Sequence, residues 1–175
     1  MSKLYIPTLI LLVLALVPAD ADANGRRHMR ADLEGFQEVP AISTAAAGEF
    51  EAVLSHDGEE IEYELSYEDL EGAVAQSHLH LGQHSVNGGI SIFLCTNLGN
   101  GPAGTQECPE PPAEITGTLT AADVIGPTGQ GVGPEEWEEI LRAIRRGVVY
   151  VNVHSSLHPG GEIRGQLRTD NRRHH

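Results

Sequence analysis

Apolar and acidic residues alternate along residues 60–68, and this two-residue period constrains the fold more than any other feature of the sequence. Successive side chains of a β-strand point to opposite faces of the sheet, so one face of this stretch is apolar and the other is acidic. A helix would mix the two sets, because its period is 3.6 residues. The pattern predicts an antiparallel strand over residues 61–70 with one buried face and one face in water. The apolar set is Ile61, Tyr63, Leu65 and Tyr67, and the acidic set is Glu60, Glu62, Glu64 and Glu68.

Other segments show similar short strand patterns, separated by turns rich in glycine, proline and asparagine. Asp57-Gly58 predicts a hairpin turn before residue 61. Residues 24–33 are predicted to be a mobile lead-in, and residues 35–44 a short edge strand stopped by Pro40. Short strands at this spacing predict an all-β fold, an antiparallel Greek-key β-sandwich or barrel. The further predicted strands are 48–55, 73–81, 90–95, 114–120, 148–154 and 162–167.

One helix is predicted to interrupt the strands, near residues 134–146. Pro134 suits a first helical turn, glutamates follow at the positive amino end, and Gly147 is a stop signal. Apolar residues recur at i, i+3, i+4 and i+7, which places them on one face of the helix. We expect this face to pack against the sheet. The stripe consists of Trp137, Ile140, Leu141 and Ile144.

The amino terminus has the plan of a secretory signal peptide, which we assign to residues 1–23. Lys3 provides a positive start, residues 5–17 form an apolar run, and Ala19-Asp-Ala21 or Ala21-Asp-Ala23 offers a small-residue cleavage site. An uncleaved membrane anchor would need roughly 20 apolar residues, and this run is shorter and is followed by acids. We therefore expect a secreted or periplasmic protein with no membrane span after signal cleavage.

Cleavage after residue 23 leaves 10 Lys+Arg (11 − 1) against 23 Asp+Glu (25 − 2), a formal net charge of −13. This acidic surplus argues against a nucleic-acid partner and favours cations. Cys95 and Cys108 are the two cysteines of the chain. In an exported protein such a pair predicts a disulfide, here closing residues 96–107, whereas a thiolate metal site would favour C-x-x-C spacing.

The histidines form two clusters that suggest a metal site. His78 and His80 lie two residues apart on a predicted strand, so both imidazoles project from one face, and His84 follows just after Gly82. His154 is the last residue of a second predicted strand, 148–154, and His158 lies just after it. If the clusters meet, His78, His80 and His154 would bind one ion, with His84 and His158 as candidate fourth ligands or as partners of the ligands.

A shared ion requires the three rings to lie within about 8 Å of one another, because metal–nitrogen bonds measure roughly 2 Å. Imidazole ligands suit copper, zinc and nickel, and Cu(II) binds most tightly at a given site, so copper (or zinc) is the expected cofactor. The alternative is that the histidines hydrogen-bond to the backbone and bind no metal. We recognise no nucleophile triad, phosphate-binding loop or carboxylate pair, and assign no catalytic residue.

The segment after His158 has a structural interpretation. Pro159-Gly-Gly predicts a tight hairpin, since glycine accepts positive φ. Glu162 and Arg164 share one face of the following strand, where we expect them to form ion pairs across neighbouring strands.

Several short sequence motifs, taken in their order along the chain, resemble those of a known family. Residues 32–168 resemble a CHRD domain, a family named after chordin and common in exported microbial proteins. The resemblance implies a β-sandwich outside the cytoplasm and does not by itself imply catalysis. Residues 169–175 would be a disordered tail. The landmarks are Gly35-Phe-Gln-Glu-Val-Pro, Ser77-His-Leu-His, Gly89-Ile-Ser-Ile-Phe-Leu, Tyr150-Val-Asn-Val-His and His158-Pro-Gly-Gly-Glu-Ile-Arg-Gly-Gln-Leu.

A fainter similarity is to copper/zinc superoxide dismutases, which also carry an early His-x-His strand and a late Val-x-His strand end. His78 and His80 would match the first pair, and His154 the later copper ligand. We match no bridging histidine, zinc-site aspartate or active-site arginine. The expected function is an exported binding module that holds copper. The alternatives are a copper redox enzyme of the dismutase type and a metal-free extracellular module that binds a protein partner.

Overall fold

The structure is a computed structural model that describes residues 27–169. Within this range the chain forms nine β-strands and one α-helix. The predicted signal peptide and residues 170–175 of the predicted tail lie outside the described residues. The strands are β1 His28–Glu34, β2 Ala47–Leu54, β3 Ile61–Glu68, β4 Val74–Leu81, β5 Gly89–Thr96, β6 Ala113–Leu119, β7 Val149–Ser155, β8 Ile163–Gln166 and β9 Arg168–Thr169, and the helix is α1 Trp137–Arg145.

The strands form one antiparallel sheet in the order β5-β4-β7-β8-β1-β2-β3-β6, with β9 paired to β1. The sheet curls into a nearly closed barrel. Neighbours such as β3 with β6 and β4 with β7 are not consecutive in the chain, as in Greek-key folds. The predicted all-β class is therefore confirmed.

The two ends of the sheet, β5 and β6, are held together by the connection between them. The predicted disulfide is confirmed: Cys95 near the end of β5 is bonded to Cys108. The Thr96 amide donates to the Gln106 carbonyl at 2.9 Å, and the Gln106 side chain donates to the Thr116 carbonyl of β6 at 3.2 Å. The loop thus links β5 to β6 across the gap in the barrel.

The predicted lead-in at residues 24–33 is wrong, because strand β1 begins at His28. Met29, Ala31 and Leu33 are buried and alternate with exposed residues, so the two-residue period is present but short. β1 pairs with β2 on one side and with β8 and β9 on the other. The pairing partners of β1 come from both halves of the chain, so a local sequence pattern does not show them.

Two neighbouring expectations also differ from the structure. The predicted edge strand at 35–44 is instead a short 3-10 helix, Gly35–Gln37, followed by a loop with a cis Val39–Pro40 bond. Thr169, assigned to the disordered tail, belongs to β9 and pairs with Met29. Strand β1 thus begins four residues before residue 32, and strand β9 ends one residue after residue 168.

The apolar core fills the inside of the barrel. The alternation along β3 is confirmed: Ile61, Tyr63, Leu65 and Tyr67 are buried, and the glutamates between and beside them are exposed. In the other half of the sheet the inward residues come from β4, β5, β7 and β8. They include Leu79, Ile92, Val151, Val153 and Ile163.

Helix α1 covers the core with the predicted face. Trp137, Ile140, Leu141 and Ile144 are all buried in the same cluster as the inward strand residues. The Trp137 indole donates to the Gly58 carbonyl at 2.8 Å, which places the helix start beside the β2–β3 turn. No helix within residues 27–169 has the length and apolar character needed to cross a membrane.

Candidate metal centre

Strand β4 carries His78 and His80 on the face of the sheet opposite the core. Leu79, between them, is buried in the core, as the alternation predicts. The register of β4 with β5 shifts twice, between Ser77 and His78 and again between Leu79 and His80. Bulges of this kind change the direction of strand side chains and occur often beside functional sites.

Strand β7 brings His154 next to this pair. Gln76 lies opposite His154 and His78 lies opposite Asn152, so His78 and His154 are diagonal neighbours on one face. The ring centroids are 4.9 Å apart for His78 and His154, 5.3 Å for His78 and His80, and 6.1 Å for His80 and His154. One ring nitrogen from each residue lies within 4.8 Å of the others. The separations are below the limit of about 8 Å that a shared ion requires.

Backbone carbonyls define which nitrogen of two rings carries hydrogen. His80 Nδ1 lies 3.0 Å from the Gly88 carbonyl, and His154 Nδ1 lies 3.0 Å from the Pro159 carbonyl. Because a carbonyl only accepts, both Nδ1 atoms donate, and both Nε2 atoms of the neutral rings keep a free lone pair. His78 Nδ1 therefore donates to His154 Nε2 at 3.1 Å. His78 Nε2 and His80 Nε2 are buried and have no hydrogen-bond partner.

The three rings are buried and uncharged at neutral pH. Their exposed fractions are 0% for His78, 7% for His80 and 6% for His154. Burial is the main cause that lowers the pKa of His78 to about 2 and that of His80 to about 4, and it also lowers the pKa of His154. The proximity of the rings adds to this for His78 and His80, because two adjacent imidazolium charges repel. Neutral imidazole is the form that binds metals.

The nitrogen positions fit the ligands of one ion. Two nitrogens each about 2.0–2.1 Å from an ion lie roughly 2.9 Å apart at a right angle and about 3.3 Å apart at a tetrahedral angle. His78 Nδ1 and His154 Nε2 are 3.1 Å apart. An ion bound by this pair would take the place of the hydrogen that the rings now share, and neutral His78 would then carry its proton on Nε2. The free lone pair of His80 Nε2 is the candidate third ligand.

Tyr150 and Arg164 flank the cluster, and the sequence did not assign either residue to it. The Tyr150 ring stacks on His80, with centroids 4.7 Å apart and 2° between the planes. The guanidinium carbon of Arg164 lies 3.5 Å from the centroid of the Tyr150 ring. The Gly88 amide donates to the Tyr150 hydroxyl, while the Gly88 carbonyl accepts from His80. The stack fixes the orientation of the His80 ring. Tyr150 could have been found, because it lies four residues before His154 and so shares its strand face.

Arg164 holds the loop 82–88 over this face of the sheet. It is 1% exposed and donates to the Gln83 carbonyl at 3.0 Å and to the Val86 carbonyl at 2.9 Å. Glu162 has different partners, since its Oε1 accepts from the Thr44 hydroxyl and from a backbone amide. The expected cross-strand ion pairs of Glu162 and Arg164 are therefore replaced by hydrogen bonds to loops.

Glu38 is a buried carboxyl group beside the same face. It accepts a hydrogen bond from the side chain of Asn152, the residue opposite His78. Burial raises the pKa of Glu38 to about 7, although the Arg164 charge opposes the rise. Gly161 has a φ of 128°, and a Cβ there would collide with Asn152 Nδ2 and Glu38 Oε1, so only glycine suits this position. Sequence reasoning missed Glu38, because it lies in a loop far from both histidine clusters.

The other two candidate ligands lie outside this cluster. His84 is exposed in the loop after β4, and its Nδ1 is 2.8 Å from the Ser85 hydroxyl. His158 Nε2 is 3.1 Å from a carboxylate oxygen of Glu71. The structure thus joins His78, His80 and His154, and it gives neither His84 nor His158 the position of a fourth ligand.

The fold and the disulfide define the class of this protein as a small, cross-linked Greek-key β-barrel domain. The family model described as the CHRD domain matches residues 29–167, and the chain belongs to this family. CHRD domains are typically extracellular, which agrees with the disulfide, and the family supports a binding module of the extracellular type. No curated protein and no solved structure matches the chain. The similarity to copper/zinc superoxide dismutases stays an interpretation of the sequence.

Proposed function

We propose that this CHRD domain is an exported metal-binding module that holds one copper ion through His78, His80 and His154. The observation that carries the proposal is the burial of the three rings and the lack of hydrogen-bond partners for some of their nitrogens. Three neutral imidazoles are buried together, and two of their nitrogens, His78 Nε2 and His80 Nε2, have no hydrogen-bond partner. Buried polar atoms without a partner are unfavourable, and a bound ion would use the free lone pair of His80 Nε2 together with His78 Nδ1 and His154 Nε2.

Copper is favoured over zinc by the ligand type. A site built from imidazoles alone suits both metals, and Cu(II) binds more tightly than Zn(II) in the general order of affinities. Tyr150 and the Gly88 and Pro159 carbonyls hold two of the rings in position, as partners of metal-binding histidines commonly do. Preorganised rings lose little freedom when the ion binds.

The burial of the cluster favours a carrier or storage role over redox catalysis. None of the three rings is more than 7% exposed. A copper enzyme acting on oxygen species needs an open coordination position that its substrate can reach. Loops cover this face, with the 82–88 loop held by Arg164. The export part of the proposal is supported by the apolar run at residues 5–17 and by the disulfide.

The test is calorimetric titration of Cu(II) and Zn(II) into the mature, tag-free protein. We expect about one equivalent of tightly bound Cu(II), weaker Zn(II) binding, and loss of both in His78→Ala/His80→Ala. His84→Ala is the matched control, because it removes an exposed histidine outside the cluster and should leave binding unchanged.

Near-UV circular dichroism of each variant shows whether it is folded. If the double variant unfolds, electron paramagnetic resonance of Cu(II) on the wild-type protein provides a second measurement, since bound imidazoles give nitrogen hyperfine structure. Binding that survives in a folded double variant, or a Cu(II) spectrum without imidazole nitrogen, would overturn the proposal.

A further inference from the structure

We propose that Glu71, His158 and Glu162 form a second divalent-cation site, separate from the three-histidine cluster. This site favours cations that prefer oxygen ligands. One ligand atom from each of these residues lies within 4.8 Å of the others. The three residues come from distant parts of the chain: Glu71 lies in the β3–β4 connection, and His158 and Glu162 lie in the β7–β8 connection. This inference goes beyond the proposed copper site and does not depend on it.

Glu162 lies at the buried end of this second site. Its side chain is 0% exposed, and its Oε1 accepts from the Glu71 amide at 2.7 Å and from the Thr44 hydroxyl at 3.0 Å. Its Oε2 is buried and has no hydrogen-bond partner. Burying a carboxylate oxygen without a donor is unfavourable, so the free oxygen points to a ligand that is positively charged.

Glu71 and His158 form the accessible side of the site. His158 Nε2 lies 3.1 Å from Glu71 Oε2, and the side chains are 23% and 46% exposed respectively. The group therefore runs from a fully buried carboxylate to a half-exposed one.

The ligand chemistry differs from that of the histidine cluster. Two carboxylates and one imidazole provide two negative charges, which a divalent ion would balance. Oxygen-rich sites suit Mn(II), whereas imidazole-only sites suit copper. The acidic surplus of the chain also raises the local concentration of cations. The geometry thus points to a site that Mn(II) can occupy while copper occupies the other.

The same connection contributes to both sites. The Pro159 carbonyl accepts from His154 Nδ1 in the copper site, and the adjacent His158 faces Glu71. The Ser155 hydroxyl accepts from the His158 amide at 3.2 Å, which stabilises this turn. An ion at the second site would hold the turn that orients His154.

The test is a titration of Mn(II) into the full mature protein, followed by the electron paramagnetic resonance signal of free Mn(II). We expect about one equivalent to bind and the affinity to fall at least about 10-fold in Glu71→Gln. Glu71 is half-exposed and its backbone amide is unchanged by the substitution, so this variant should fold. Glu64→Gln is the matched control, because it removes the same charge from the exposed face of β3, away from the site.

A second measurement identifies the imidazole. Electron spin echo modulation of bound Mn(II) should show one nitrogen that disappears in His158→Ala and persists in His78→Ala. No bound Mn(II), an equal loss of affinity in Glu71→Gln and Glu64→Gln, or a nitrogen signal that depends on His78 would each overturn the proposal. Because Glu71→Gln and His158→Ala change the second site alone and His78→Ala/His80→Ala changes the first, failure of one proposal is distinguishable from failure of the other.

Discussion

At the scale of single residues, folding changes the ionisation of the Glu38 carboxyl group. Its carboxyl group is 7% exposed and lies near Arg164, Asn152 and His158. Burial raises its pKa from 4.5 to about 7, so the folded protein keeps a proton that the unfolded chain releases at lower pH. The stability associated with this proton is full below about pH 4.5 and is lost as the pH rises to about 7.

We predict that Glu38→Gln is more stable than the wild type at pH 8 and equally stable at pH 4.5. Glutamine imitates the protonated acid and still accepts from Asn152. The interval between the two pKa values corresponds to a free energy of at most about 3 kcal/mol. We therefore expect Glu38→Gln to raise the free energy of unfolding by about 1–3 kcal/mol at pH 8. Denaturant unfolding at the two pH values checks this, with Glu68→Gln on the exposed face of β3 as the control. An equal effect of Glu38→Gln at both pH values would contradict it.

At the scale of elements, the disulfide connects the end of β5 to the loop that leads into β6. Cys95 and Cys108 are both buried, and the Asn97 side chain donates to the Cys108 carbonyl and accepts from the Cys108 amide. The loop between the cysteines contains three glycines and one proline, and none of its residues belongs to the hydrophobic core. The cross-link therefore supplies much of the order of this connection.

We predict that Cys95→Ala/Cys108→Ala lowers the free energy of unfolding by about 2–4 kcal/mol, the usual range for a loop of this length. Alanine avoids placing a hydroxyl group in the buried position of Cys95. The same loss should follow reduction of the wild-type protein, and reduction should leave the variant unchanged. Denaturant unfolding with and without reductant measures both. A change below about 1 kcal/mol would show that the hydrogen bonds of the loop are sufficient.

At the scale of the whole molecule, the negative charge is concentrated on the outside of the β1-β2-β3-β6 half of the barrel. Glu51 lies directly opposite Glu64, and Asp32 lies directly opposite Glu49. Like charges in facing positions of a sheet are destabilising. Net charge of this size keeps the protein soluble and lowers the stability of the compact state. The acidic residues exposed on these strands are Asp32, Glu34, Glu49, Glu51, Glu62, Glu64, Glu68 and Glu114.

We predict that Glu64→Lys stabilises the protein by roughly 0.5–1 kcal/mol at low ionic strength, because it replaces a repulsive pair with an attractive one. Glu64→Gln should give about half of this gain, since it removes the repulsion alone. The gain should shrink at about 1 M salt, where the Debye length is ~3 Å. Thermal unfolding at two salt concentrations measures the effect. A gain that is independent of salt would indicate strand propensity as its cause.

The sequence by itself determined which side chains are buried in the most regular elements. The alternation along β3 and the stripe on α1 depend only on the period of each element, and both faces were predicted correctly. The pairing of Cys95 with Cys108 followed from the number of cysteines in an exported chain. The placement of His78 and His80 on one face followed from the same two-residue period.

Only the tertiary structure decided how distant segments meet. Strand β1 was missed because its apolar alternation is short and its pairing partners, β2 on one side and β8 and β9 on the other, come from both halves of the chain. The order β4-β7-β8 places His154 beside His78 and puts Tyr150 and Arg164 next to His80. The same contacts separate His158 from the cluster and join it to Glu71. Strand register, bulges and loop partners depend on contacts between residues far apart in the chain, and a local period carries no information about them.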